Sequence, residues 1–149
     1  MLRTRLTERF KLSHPVILAP MGFNGGGRLA AAVAAAGGLG LIGGGYGNEA
    51  WLREQLAAAG NERVGCGFIT WSLKEQPHLL EIALERAPAA MFLSYGDPEP
   101  FVDRIKQARV PFSARSRQLW TLGGRSISAL TSLSRREPRP AAMERSAPP

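Results

Sequence analysis

The stretch VILAPMGFNGGGRLAAAVAAAGGLGLIGGGYG, residues 16–47, decides the fold. It opens on four apolar residues, Val16-Ile17-Leu18-Ala19, closed by Pro20, which has no N–H to give to a ladder. A loop from Gly22 to Gly27 follows, then an alanine-rich run from Arg28 to Ala36 that Gly37-Gly38 stops. Leu39-Gly40-Leu41-Ile42 is apolar again, and Gly43-Gly44-Gly45-Tyr46-Gly47 opens a second loop. Strand, loop, helix, strand, loop is the grammar of parallel strands joined by crossover helices. The strands are short and continuously apolar, as strands covered on both faces must be.

Outward from this stretch the same alternation continues. Asn48 is suited to cap a helix running through Ala59, which Gly60 ends. Val64 to Thr70 reads as a third strand, and Pro77 to Arg86 as the next helix, with proline in its first turn. Ala90 to Ser94 is a fourth strand; Asp97-Pro98-Glu99-Pro100 starts a helix through Ala108. Val110-Pro111-Phe112 begins a fifth strand, and there the pattern stops. About four βα units are half of a TIM (β/α)8 barrel, which takes ~250 residues. The expected class is therefore α/β: an incomplete barrel over residues 1–112, then a disordered Arg/Ser/Pro-rich tail over 113–149. Half a barrel leaves strand edges open, so self-association through those edges is expected.

Charge follows the same division. The net +7 of the 149 residues comes mostly from the tail, where seven arginines face two glutamates, against twelve basic and ten acidic residues before it. Arginine without lysine, seven of the ten serines and several prolines make a composition that does not bury a core. The uneven charge argues against reading the whole chain as a nucleic-acid binder, although a basic, non-enzymatic protein whose arginine tail contacts nucleic acid is the alternative to weigh. Salt-dependent DNA binding would favour that alternative. The single cysteine, Cys66, excludes a disulfide framework and a multi-cysteine metal site, and in its apolar run it reads as a packed thiol. No leader-like segment and no apolar run near ~20 residues is present. The expected setting is the cytoplasm, with no membrane partner.

The motifs are judged by their context. Gly38-Leu39-Gly40-Leu41-Ile42-Gly43 satisfies G-x-G-x-x-G but spans a strand instead of following one, so Gly40 is better read as allowing close packing than as part of a dinucleotide site. In a barrel, ligands sit at the carboxyl ends of the strands, so the informative loops begin at Ala19, Gly43, Phe68 and Ser94. There Ala19-Pro20-Met21 presents a fixed turn and a soft thioether surface suited to a planar ring, although such a motif alone is more often a core turn than a ligand contact. Gly43-Gly44-Gly45 and Gly65-Cys66-Gly67 mark places where another group can approach the backbone. Trp71 and Ser72 are expected on the loop after the third strand. His14 and His78 read as structural or exposed. No Ser-His-Asp set, paired-carboxylate site or metal spacing stands out, so neither a catalytic residue nor a metal ligand is assigned.

Pro15-Val16-Ile17-Leu18-Ala19-Pro20-Met21, Ala35-Ala36-Gly37-Gly38-Leu39-Gly40 and Val64-Gly65-Cys66-Gly67-Phe68-Ile69-Thr70-Trp71 together resemble the first three strand regions of nitronate monooxygenases (2-nitropropane dioxygenases). The resemblance spans roughly residues 5–112. It implies a TIM barrel that binds FMN and oxidises alkyl nitronates or nitroalkanes with O2. It places Ala19, Pro20 and Met21 against the flavin and assigns a further flavin contact to the position of Gly67, where the family often has asparagine. FMN enoyl reductases and inosine-monophosphate-dehydrogenase relatives share the early pattern; the Gly67 to Trp71 stretch favours nitronate oxidation. The family's base is a histidine in a later Gly-Gly-His-Gly segment, with the phosphate site later still, and neither occurs in this chain. An inactive N-terminal half is the expectation, with FMN binding weakened.

The tail carries a trace of what is missing. Read one base back, each new codon takes the third base of one codon and the first two of the next. Phe112 through Gln118 can then encode Leu-Cys-Gln-Val-Gln-Thr, which resembles the family's fifth strand. Arg135 through Glu144 can encode Gln-Gly-Thr-Glu-Ala-Gly-Gly-His-Gly, with Met143 supplying two bases of the histidine codon and the first of the last glycine. Two family segments in order and in one frame are hard to obtain by chance. The tail is therefore expected to be out-of-frame sequence after a one-base insertion or deletion near the codon for Phe112. Stop codons in the shifted frame before that histidine would refute this.

Overall fold

The computed structural model describes residues 2–115, 120–122 and 125–126. In chain order the elements are α1 (Arg5–Phe10), β1 (Ile17–Leu18), α2 (Gly27–Ala35), β2 (Leu39–Gly43), α3 (Glu49–Ala58), β3 (Gly65–Ile69), α4 (Thr70–Glu75), α5 (His78–Glu85), β4 (Met91–Ser94), α6 (Glu99–Gln107), β5 (Phe112–Arg115), β6 (Trp120–Leu122) and β7 (Arg125–Ser126). The strands lie side by side in sequence order. β1 to β5 are mutually parallel, and β6 and β7 add antiparallel to β5. Five parallel strands alternating with helices form the half-barrel that the sequence pattern predicts.

Two elements and one boundary differ from that expectation. α1 is a single short helix closed by a reciprocal box: Thr4 Oγ1 accepts from the Thr7 N–H at 3.1 Å, and Thr7 Oγ1 accepts from the Thr4 N–H at 2.8 Å. α4 takes up the expected loop at Trp71 and Ser72, starting directly after β3. β5 begins at Phe112, two residues later than the expected start at Val110, and pairs with β4 through Arg115. Beyond Arg115 the tail expected over 113–149 falls outside the described residues, apart from β6 and β7.

The pleat sorts alternate residues of each strand into two cores. Ile42, Cys66, Phe68, Met91 and Leu93 join Leu52, Leu56, Leu79, Phe101 and Ile105 from the helices in the larger, outer cluster. Leu39, Leu41 and Ala90 face the other way, against Phe10 and Leu12, which end and follow α1. The helix before the first strand therefore covers the inner face of the sheet. Gly40 is a packing glycine: a Cβ there would come 2.0 Å from the Ala30 carbonyl oxygen, so α2 and β2 sit together only without one. β1 is an edge strand of the sheet, with Val16 and Ile17 exposed beside and on it. Among the described residues no helix is long and apolar enough to cross a membrane.

Candidate functional site

Register aligns two neighbouring rows across the sheet. Ile42, Cys66, Met91 and Phe112 stand side by side, and one residue further along stand Gly43, Gly67, Phe92 and Ser113. The first row points to the helices and is packed. The second, near the carboxyl ends of the strands, is small on its β2 and β3 side. Into that vacancy the loop after β1 descends. A Cβ on Gly67 would lie 2.3 Å from Pro20 Cγ, and one on Gly43 would lie 2.6 Å from the Met21 carbonyl carbon. The two glycines thus seat Pro20-Met21 directly on the sheet.

The loop is tied down at each step. The Met21 N–H donates to the Ala19 carbonyl (3.0 Å), the Gly25 N–H to that of Met21 (2.7 Å), and the Gly43 N–H to that of Gly25 (2.9 Å). From α3, Trp51 Nε1 donates to the Gly43 carbonyl (3.1 Å), while its ring lies 5.1 Å from that of Phe23. α3 is oriented by its cap, Asn48 Oδ1 accepting from the Trp51 N–H at 2.9 Å. Gln55 of the same helix reaches α2, accepting from the Gly27 N–H at 3.0 Å.

Beside Pro20 and Met21 opens a cavity of about 310 Å3 at the carboxyl ends of β1 to β4. Gly67, Phe68 and Ile69 form one side, and Gly22, Gly45 and Tyr46 another. Ser94 and Tyr95 complete the lining. Of the residues singled out in sequence, Pro20, Met21 and Gly67 meet here; Ala19, exposed just after β1, is not part of the lining. Tyr46 and Tyr95 escaped the sequence reading. The signal was an aromatic residue next to glycine just past a strand's carboxyl end, where a packing role has no reason to place one.

Among the described residues, no lining side chain is charged. The lining fits a flat apolar ring, since Pro20, Met21, Phe68 and Ile69 offer surface without competing charge, and among the described residues it includes no cation for a phosphate. Neither histidine is in the lining: His78 Nε2 lies 2.9 Å from Glu49 Oε2 on the surface, and His14 sits by Gly37 ahead of β1. Arg53 and His78 hold the Glu49 carboxyl below its ordinary value by hydrogen bonding to it. Cys66 is fully buried in the packed row, and desolvation pushes its thiol up to about 12. Among the described residues, no group of three His, Cys, Asp or Glu side chains is placed to hold a metal.

A larger cavity, about 440 Å3, opens where α3 and α5 end, lined among others by Gly60, Arg63, Arg86 and Pro88. Its Arg86 donates to the carbonyls of Leu56 and Gly60 and so closes the end of α3. That guanidinium serves the fold, and the cavity lies away from the loops that carry ligands in barrels.

Residues 3–69 match the family model described as Nitronate monooxygenase. No curated protein matches the chain. Among solved structures it is similar to FabK from Thermotoga maritima and to a mutant of that protein, each at 26% identity with a TM-score of 0.66. Each match covers 76% of this chain, which spans 37% of the length of FabK and 39% of the mutant.

Proposed function

We propose that the cavity beside Pro20 and Met21 is the ring-binding part of an FMN-dependent site for oxidising alkyl nitronates with O2, a reading supported by the match of residues 3–69 to the nitronate monooxygenase family model. The observation that carries this reading is the seating of Pro20-Met21 on Gly43 and Gly67. It builds a rigid, uncharged wall at the end of the sheet where barrels bind ligands. Pro20, Met21 and the Gly67 to Ile69 segment would hold the ring. When bound, FMN supplies the redox chemistry. The chain's own part is to orient the ring and keep water from one side of it. A base for neutral nitroalkanes is not among the lining residues, so preformed nitronates are the substrates to offer.

Titration of the full chain with lumiflavin and with FMN tests the site through quenching of flavin fluorescence. Both are expected to bind with similar affinity, because the lining offers nothing to the phosphate; no quenching by either ligand would overturn the proposal. Oxygen uptake with the nitronate of 2-nitropropane then tests the reaction. The likeness to FabK supports a second reading, a barrel of the FMN enoyl reductase type. Oxidation of a reduced nicotinamide cofactor dependent on an enoyl thioester, without nitronate-dependent oxygen uptake, would favour that reading.

A further inference from the structure

The mouth of the cavity carries three exposed, largely apolar side chains, Met21, Tyr46 and Tyr95, the last 70% exposed. Large apolar side chains scattered singly over a surface need no explanation, but three around one opening do. Two of them are held in place. Tyr46 packs against Trp71, with ring centroids 6.3 Å apart. Tyr95 occupies the left-handed backbone region at φ 58°, which side-chain-bearing residues adopt only at a cost. Its neighbours impose that conformation. The Thr70 hydroxyl, fully buried, donates to the Ser94 carbonyl at 2.9 Å, and Gly96 packs over the Thr70 side chain. The turn after β4 is thereby fixed so that Tyr95 stays at the mouth.

We infer that Met21, Tyr46 and Tyr95 form a specificity wall for substrates whose bulk is an uncharged apolar chain or ring, with Tyr95 determining specificity and Thr70 positioning it. The inference rests on the proposed site and concerns the part of the substrate away from the reacting carbon. An apolar chain gains burial against the aromatic faces. A second charge on the substrate would lose water and meet no counter-ion among the described lining residues, and the negative faces of the rings oppose an anion.

Calorimetric titration of the full chain with 3-methyl-1-nitrobutane and with 3-nitropropionate, alike in the nitro group and in shape and different in that two methyls replace the carboxylate oxygens, reads this preference. The neutral ligand is expected to bind about ten-fold or more tightly, the scale of discrimination a few methylenes give in an apolar site. Tyr95→Ala should remove most of that ratio and Tyr95→Phe should keep it; both should fold, because the side chain is exposed. Thr70→Val should lower the ratio and Thr70→Ser restore it, which separates positioning from bulk packing. Equal or tighter binding of 3-nitropropionate, no binding of either ligand, or an unchanged ratio in Tyr95→Ala would overturn the inference. Flavin binding is scored separately. A preserved ratio without flavin binding would sink only the flavin reading, and flavin binding without a ratio only the specificity wall.

Discussion

Two rows of residues one step apart on the same strands have opposite characters. Ile42, Cys66, Met91 and Phe112 face the helices and are sealed, none more than 6% exposed. Gly43 and Gly67, at the head of the next row, have given up their side chains so that Pro20 and Met21 can lie on the sheet and wall a cavity. One row spends its volume on cohesion. The other leaves volume for a loop and a ligand. Barrels divide labour in this way because a strand covered by helices must be packed, whereas its carboxyl end meets only loops.

The contrast should show most strongly in the chemistry of Cys66. With its thiol pushed up to about 12, alkylation of the folded chain near pH 8 should be on the order of a thousand-fold slower than that of an unfolded control, the thiolate being the reactive form. The sign follows for stability. The buried thiol stays neutral while the unfolded one ionises above its ordinary 9.0, so folding should weaken as pH rises past 9. Ready labelling of the native chain by iodoacetamide would mean that the packed row is not sealed.

Leu93→Ala empties a fully buried position in the same helix-facing layer and should cost about 2–5 kcal/mol in urea unfolding. Gly67→Ala tests the other row. Its methyl must displace Pro20, and the cost should be smaller, about 1–3 kcal/mol, because an exposed loop yields more easily than a core. It should nevertheless abolish lumiflavin binding, which Leu93→Ala should disturb less at equal folded fraction. A Gly67→Ala chain with unchanged flavin affinity would show that the seat of Pro20 does not shape the cavity.

The smallest effect lies outside both rows, on the exposed first turn of α3. The Glu49 carboxyl, held low by Arg53 and then His78, contributes stability above the ordinary carboxylate range and loses it as pH falls through its depressed value. The thermal midpoint of Glu49→Gln should depend slightly less on pH between 6 and 3 than that of the parent. The difference should be small because this is a surface pair screened by solvent.

Much of this arrangement is legible residue by residue. The cap at Asn48, the glycine stops after α2 and α3, and the apolar runs of β2 to β4 are local signals, and the elements begin and end within a residue or two of them. α4 was not legible. Its N-cap is Ile69, which offers no side-chain cap, and the Thr70 hydroxyl that would have advertised a helix start is committed to Ser94 instead. α1 is short, and Phe10 earns its burial only against Leu39 and Leu41 once the sheet exists. The start of β5 at Phe112 is set by its register with Met91, which no local signal encodes.

By itself, the sequence determined the alternation of strand and helix, the class of half-barrel and the likeness of residues 3–69 to the nitronate monooxygenase family model, because periodicity, caps and turn residues act locally. Only the tertiary structure decided that Gly67 is a seat for Pro20, that Thr70 ties down the turn bearing Tyr95, and that a cavity whose described lining is uncharged opens between them. Those relations join residues 24 to 47 positions apart, and it is strand register that brings them together.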